Sequence, residues 1–289
     1  MISILIPTYK WNSYRLVKQI ISSIEQESFR YEIHVIDDGS GELYEHQKIN
    51  ELNNCYFHSL QKNIGRSRIR NLLIQKANYS WLLFLDGDVM PSKKQFISKY
   101  MAAINDQKLV IVGGIKYQNC HEKKVLRWKL GKRNEEKALK KRLAAPYKYF
   151  FTGNFLIHKS VFNHLKFDES ITRYGYEDLL FARQLQQKNI PIQHIQNEVY
   201  HLGIDANSAF IAKTKEALDN LSILLLKNRL NYFDTKISQS YSQTKWFCIP
   251  FFLSLFTSFF EKKAIATSLL FYFNLFRLGY LYKMIKKFR

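Results

Sequence analysis

The segment WLLFLDGDVMPS, residues Trp81 to Ser92, drives five large apolar side chains into two carboxylates, Asp86 and Asp88, separated by one glycine. A short continuous apolar run bounded by turn chemistry is the pattern of a strand buried on both faces. Two like charges at that spacing repel each other and lose hydration when covered, so they require hydrogen bonds, protonation or a bound cation. Two readings fit: a divalent metal site, and a turn that ends the strand, for which Asp-Gly is favoured chemistry.

Outward from this strand, helix and strand signals alternate. Ile2 to Ile6 reads as a strand broken by Pro7, Leu16 to Ile24 carries helical periodicity, and YEIHVIDDGS is a second strand closed by Asp37, Asp38 and Gly39. CYFHSL predicts a short strand, and Ser67 to Ala77 a helix. The first third is therefore β-α-β-α-β-α-β, an α/β pattern that specifies an open, largely parallel sheet flanked by helices. In such sheets ligands gather beyond the carboxyl ends of the strands. Pro7-Thr8, Asp37-Asp38 and Asp86-Gly87-Asp88 all lie at such ends, and this convergence favours the metal over the turn.

A chain of 289 residues suffices for one large domain, or one domain with an appendage. Lys+Arg 44 against Asp+Glu 24 leaves +20, which favours anionic partners: nucleotide phosphates, nucleic acid or an acidic membrane surface. Cys55, Cys120 and Cys248 are an odd number without C-x-x-C spacing, which argues against a disulfide framework or a thiolate zinc site. MISILIPTYK shows no basic leader followed by a long apolar core, so a cytoplasmic location is expected. Nicotinamide binding requires G-x-G-x-x-G after the first strand, where this chain has PTYKWNSYR. LGKR, Leu130 to Arg133, lacks the Ser or Thr of a phosphate loop, so phosphates are left to a metal held on carboxylates.

ILIPTYKWN, VIDDGS, NIGRSRIRN, LLFLDGDVMP, TGNFLIHKSVF and YGYEDLLFARQL, in that order, resemble the GT-A type nucleotide-sugar glycosyltransferases of family 2, over about Ile2 to His201. The resemblance implies a GT-A, Rossmann-like mixed sheet and a nucleotide-sugar donor, with a UDP-sugar expected. By the same resemblance Asp38 contacts the base or ribose, Thr8 and Tyr9 line that pocket, and Arg66 or Arg70 faces the nucleotide. The family's D-x-D pattern falls on Asp86-Gly87-Asp88, with Asp88 the direct ligand of Mn2+ or Mg2+ and Asp86 supporting the ribose or a metal-bound water.

The reaction itself requires neutralising charge on the leaving diphosphate and deprotonating the attacking hydroxyl. Glu177 and Asp178 follow a glycine and begin an amphipathic helix, where on residue chemistry alone they could simply complement its positive end. The resemblance instead makes Asp178 the general base and Glu177 an acceptor-binding or orienting residue, with in-line attack inverting the anomeric carbon. His201 in NEVYHLGID has two readings, a further metal ligand and a structural histidine. Asn154 and Gly153 match a donor-sugar or acceptor loop, and Trp128 within HEKKVLRWKLGKRNEEKALKKRLA has two readings, an acceptor-stacking residue and the apolar face of a basic helix, of which the helix is favoured.

That basic segment could track phosphates, but the chain carries no nucleic-acid module, so no nucleic acid is expected as a partner. A metal-dependent nucleotidyltransferase is the enzyme alternative. Residues 1–240 read as the catalytic domain and 241–289 as an apolar and basic helical segment. WFCIPFFLSLFTSFF, Trp246 to Phe260, falls short of the roughly 20 residues of a simple membrane span. The longer run after it is interrupted by Asn274 and Arg277. Helices lying in a membrane interface, or a hairpin packed on the domain, fit these lengths. Lys283, Lys286, Lys287 and Arg289 suit anionic head groups, so the expected setting is the inner face of a cell membrane, with a glycan or polyprenyl-linked acceptor.

Overall fold

The computed structural model describes residues 1–24, 29–41, 44–105, 107–119 and 125–289. Cys120, and the first four residues of the basic segment, His121 to Lys124, lie outside the described residues. The chain divides into two compact units. The first comprises Met1–Gln118, Asn134–Thr172 and Glu177–Gly203; the second comprises Asn119–Arg133, Arg173–Tyr176 and Ile204–Arg289.

In the first unit β1 (Ile2–Thr8), α1 (Tyr14–Ile24), β2 (Tyr31–Asp37), α2 (Tyr44–Gln47), β3 (Cys55–Ser59), α3 (Arg66–Lys76) and β4 (Trp81–Leu85) follow one another as the sequence predicts. After them come β5 (Val89–Pro91), α4 (Phe96–Ala103), β6 (Val110–Val112) and β7 (Ile115–Lys116). β1 pairs in parallel with β2 on one side and β4 on the other, and β2 pairs in parallel with β3. All three inner strands are buried almost throughout, which is why each reads as an unbroken apolar run rather than an alternating one. Helix α1 buries Leu16, Val17, Ile20 and Ile24, the stripe that a 3.6-residue period lays on one face.

Beyond β4 the pattern changes. Following α5 (Leu126–Asn134) and α6 (Leu139–Ala144), β8 (Asn154–His158) enters the sheet antiparallel to both β4 and β6. After α7 (Glu177–Gln187), β9 (Ile192–His194) pairs in parallel with β6 and completes a seven-stranded sheet in the order β3-β2-β1-β4-β8-β6-β9. Because β8 runs backwards, its first residue, Asn154, lies beside Leu85 at the carboxyl end of β4. Phe84 stacks on Phe155 across this pair at 4.9 Å, in a core with Leu73 of α3 and Phe181 and Leu185 of α7. A second, three-stranded sheet places β10 (Val199–His201) between β5 and β7, antiparallel to the former and parallel to the latter.

The second unit is helical: α5 up to Arg133, α8 (Asn207–Leu226), α9 (Lys236–Thr244), α10 (Ile249–Leu255), α11 (Thr257–Thr267) and α12 (Leu270–Phe288). Its core gathers Leu126 of α5, Phe210 and Ile211 of α8, Ala264 of α11, and Phe273 and Phe276 of α12. No helix among the described residues is long and apolar enough to cross a membrane.

Candidate active site

The D-G-D segment is fixed by main-chain bonds to three distant parts of the first unit. Asp86 N donates to Gly153 O (3.2 Å), Gly87 N to Pro7 O (3.1 Å), and Leu202 N to Asp88 O (2.8 Å). Glycine at 87 is a packing requirement, since a Cβ there would sit 2.6 Å from both Thr8 Oγ1 and Ser13 Oγ. A Cβ on Gly203 would overlap Asp88 Oδ2, so the chain past β10 must also be bare where it meets this carboxylate. Thr8 is buried and donates its hydroxyl to Trp11 O (2.9 Å), whereas the neighbouring Tyr9 ring is exposed.

The cation that balances Asp86 comes from α3. Arg70, fully buried, donates from Nη2 to Asp86 Oδ1 at 2.9 Å, and its Nη1 lies 3.7 Å from Glu177 Oε1. Arg66, one turn earlier and half exposed, donates from Nη1 to the same Glu177 oxygen at 3.2 Å. Burial pushes the Asp86 pKa up, but the Arg70 and Arg66 charges, the Arg70 hydrogen bond and His201 outweigh it, and the carboxyl is held below the usual range. Asp88 points to the other side, where its Oδ2 lies 3.7 Å from His201 Nε2. The antiparallel pairing of β5 with β10, which sets His201 opposite Val89, delivers that imidazole. Tyr117, just past β7, stacks on the His201 ring at 5.6 Å.

Glu177 and Asp178 occupy the first turn of α7, after Gly175 and Tyr176 with φ of 97° and 71°. Asp178 Oδ1 accepts from Leu179 N at 2.7 Å. Burial raises the Asp178 pKa, the Glu177 charge raises it further, and the Leu179 N–H, Arg70 and Arg66 pull it down; the result is about 7. One carboxyl is thus held near neutrality beside a second that is tied to two guanidinium groups.

Two predicted residues are hydrogen-bonded to main-chain groups of the first unit. Asp38 accepts from Ile64 N (2.7 Å) and Gly65 N (3.1 Å), its own N–H donating to Thr8 O (2.8 Å), so it clamps the start of α3 against the end of β1. Burial pushes its pKa up and the Asp37 charge adds to that, while the two main-chain bonds pull the other way. Asn154, buried, donates to Gly114 O (2.8 Å) and Asn197 O (2.9 Å) and accepts from Tyr100 Oη (2.7 Å). The structure therefore joins Asp86, Arg70, Glu177 and Arg66 through ion pairs, with Asp178 next in the chain, and sets Asp88 against His201, whose charge also acts on Asp86. Thr8, Asp38 and Asn154 are buried, each hydrogen-bonded to main-chain groups.

Sequence reasoning missed Gly203 and Tyr117. Glycine two residues after a candidate ligand histidine was the available signal for the first; nothing in the sequence marks the second. Among the described residues no three His, Cys, Asp or Glu side chains are gathered into a cage. Asp88 and His201 nevertheless offer an oxygen and an imidazole nitrogen facing each other. This donor pair suits a divalent ion whose other positions are filled by ligand oxygens.

The match to known proteins follows this geometry. Chondroitin synthase of Escherichia coli is 24% identical over 280 residues, which are 84% of this chain and 40% of that protein, so the chain spans less than half of its relative's length. The crystal structure of S. aureus TarS 1-349 in complex with UDP has a TM-score of 0.54 at 17% identity, covering 100% of this chain and 91% of the other. Mannosyltransferase PcManGT from Pyrobaculum calidifontis, in complex with GDP-Man and Mn2+, has a TM-score of 0.54 at 10% identity, covering 78% and 64%. At these identities the structural likeness is one of fold, that of the GT-A glycosyltransferases. The family model for glycosyl transferase family 2 matches residues 3–166, from β1 through β8, a span that includes Asp86-Gly87-Asp88 and ends before Glu177, Asp178 and His201; the chain belongs to that family.

Proposed function

We propose that this protein moves a sugar from a nucleotide diphosphate sugar, with UDP-sugars the first choice, to a glycan or polyprenyl-linked acceptor, inverting the anomeric carbon. The observation that carries the reading is Asp178: a carboxyl held at about 7, next to a glutamate fixed by Arg66 and Arg70. In this reading an acceptor O–H attacks the anomeric carbon as the bond from that carbon to the phosphate oxygen breaks. The electron pair leaves on the diphosphate, the hydroxyl proton goes to Asp178, and attack from the face opposite the leaving group inverts the centre. Asp88 and His201 would hold Mn2+ or Mg2+, with Asp86 beside them; when bound, such an ion neutralises charge on the departing diphosphate. Arg66 is the half-exposed guanidinium and thus the one that would face donor phosphates, while buried Arg70 sets the positions of Asp86 and Glu177. The exposed Tyr9 ring and Thr8 would line the nucleotide pocket, Asp38 would contact the base or ribose, and Asn154 would border the donor sugar or acceptor. The bound UDP of TarS and GDP-Man of the mannosyltransferase support a nucleotide-linked donor. A polyprenyl-linked acceptor would be met at a membrane surface.

The test incubates the full chain with a panel of sugar nucleotides, with and without Mn2+ or Mg2+. Release of a nucleoside diphosphate only with metal, and its loss in Asp88→Ala with the fold retained, is the expected result. Pyrophosphate release would point to nucleotidyl transfer instead, and metal-independent or unchanged turnover in Asp88→Ala would overturn the metal assignment.

A further inference from the structure

The last helices of the second unit carry two apolar faces with different fates. One is internal: Phe273 and Phe276 of α12 and Ala264 of α11 are buried against α8. The other is open. In the turn before α10, Trp246 is 82% exposed and Phe247 76%, and through the α10–α11 junction Phe252, Leu255, Phe256 and Phe259 are each more than half exposed. The last four fall within one short stretch of chain, on both sides of the joint that Phe256 makes between α10 and α11. Contiguous apolar surface of this kind on a folded unit marks an interaction site.

The charges around it select the partner. From Thr235 to Arg289 there are nine Lys and Arg residues and one acid, Glu261, which is paired with Lys215 at 2.7 Å. Exposed lysines border the open face: Lys245 lies 5.3 Å from the Trp246 ring centroid and Lys263 5.8 Å from that of Phe259. Two copies meeting through this face would set like charges against each other. An anionic bilayer would take the aromatic rings at its interface and the lysines among its head groups.

We propose that the open face formed by Trp246, Phe247, Phe252, Leu255, Phe256 and Phe259 is a membrane-docking surface for anionic lipid. It lies on the bilayer rather than through it, since no helix among the described residues is a candidate span. The proposal deepens the acceptor reading above by naming the face that would meet the membrane. Its test requires no turnover, so either reading can fail without the other.

The full chain is sedimented with vesicles of phosphatidylcholine alone and of phosphatidylcholine mixed with phosphatidylglycerol, and its tryptophan emission is followed. The expected result is co-sedimentation with the mixed vesicles and a blue shift that disappears in Trp246→Phe. Phe252→Ser/Phe256→Ser should bind the mixed vesicles at least about tenfold more weakly, because each aromatic ring that leaves the interface forfeits apolar burial. Its circular dichroism and nucleotide release should match those of the parent. The proposal is overturned if the parent chain ignores mixed vesicles, or if the double variant binds as well as the parent. It is also overturned if light scattering finds a dimer that the same variant splits, for then a second copy covers the face.

Discussion

Asp178 is where a single residue's surroundings decide the chemistry. A carboxyl in water is a weak base at neutral pH, but burial and the neighbouring Glu177 charge bring this one to about 7, the range where a base both accepts a proton and is present unprotonated. The rate of transfer at low donor concentration should therefore rise with pH through about 7 and level off above it. Asp178→Asn keeps the shape, and should lower turnover by roughly 10²- to 10⁴-fold and abolish that limb, with donor affinity little changed. A variant that still transfers near the parent rate would move the base elsewhere. The same shift links to stability with the opposite sense. The folded state retains this proton up to about 7 while the unfolded chain releases it in the ordinary carboxylate range, so the contribution of Asp178 falls as pH rises between the two. Asp86 behaves the other way: held below the usual range by Arg70 and Arg66, its contribution is present at neutral pH and lost as pH falls.

At the level of elements, what was legible in the sequence depended on how completely each element is buried. β1, β2 and β4 are covered on both faces, so their composition announces them, and the acids at their carboxyl ends could be assigned to one crevice. β5, β7 and β10, at two or three residues each, leave no periodicity to detect, yet they carry His201 to Asp88 and Tyr117 to His201. The antiparallel insertion of β8 was equally hidden, because a buried apolar strand reads the same in either direction. Asn154 and Asp38 were picked out by motif, but their use as main-chain clamps is visible only once Gly114, Asn197, Ile64 and Gly65 are brought to them. The small sheet makes its own prediction through Gly203, whose backbone is not in the left-handed region and tolerates alanine. The added Cβ would instead strike Asp88 Oδ2 and swing that carboxylate away from His201. A displacement of about 1 Å at a reacting site can cost about 10²-fold, so Gly203→Ala should lose turnover on that scale while melting near the parent temperature. A metal titration should show the loss as weaker activation by Mn2+ or Mg2+. Unchanged activation would mean that Asp88 does not need its present orientation.

For the whole molecule, every residue of the candidate site lies in the first unit, together with a core of its own around Phe84, Phe155 and Phe181. The second unit depends on its C-terminal helices in a way that composition alone left undecided. Apolar residues after Ser240 could equally have been surface or interior, and the structure uses them as both. A chain ending at Ser240 would lose α10, α11 and α12, and with them Ala264, Phe273 and Phe276 from the core around Phe210. Deleting one buried phenylalanine side chain costs about 3–5 kcal/mol, and whole domains are stable by only about 5–15 kcal/mol, so the second unit should not survive the loss of both rings and their helices. The expected signature is a loss of helical signal that exceeds the deleted residues, because α8 and α9 melt too, with dye binding to the uncovered face of α8. Nucleotide binding at the first unit should persist in whatever fraction stays soluble. Phe252→Ser/Phe256→Ser supplies the contrast, since those rings already face water and their removal leaves the core untouched. Should the truncated chain instead melt as one cooperative transition at the parent temperature, with α8 intact, the inner face of α12 contributes nothing to the fold and the division of these helices into an inner and an outer face is wrong.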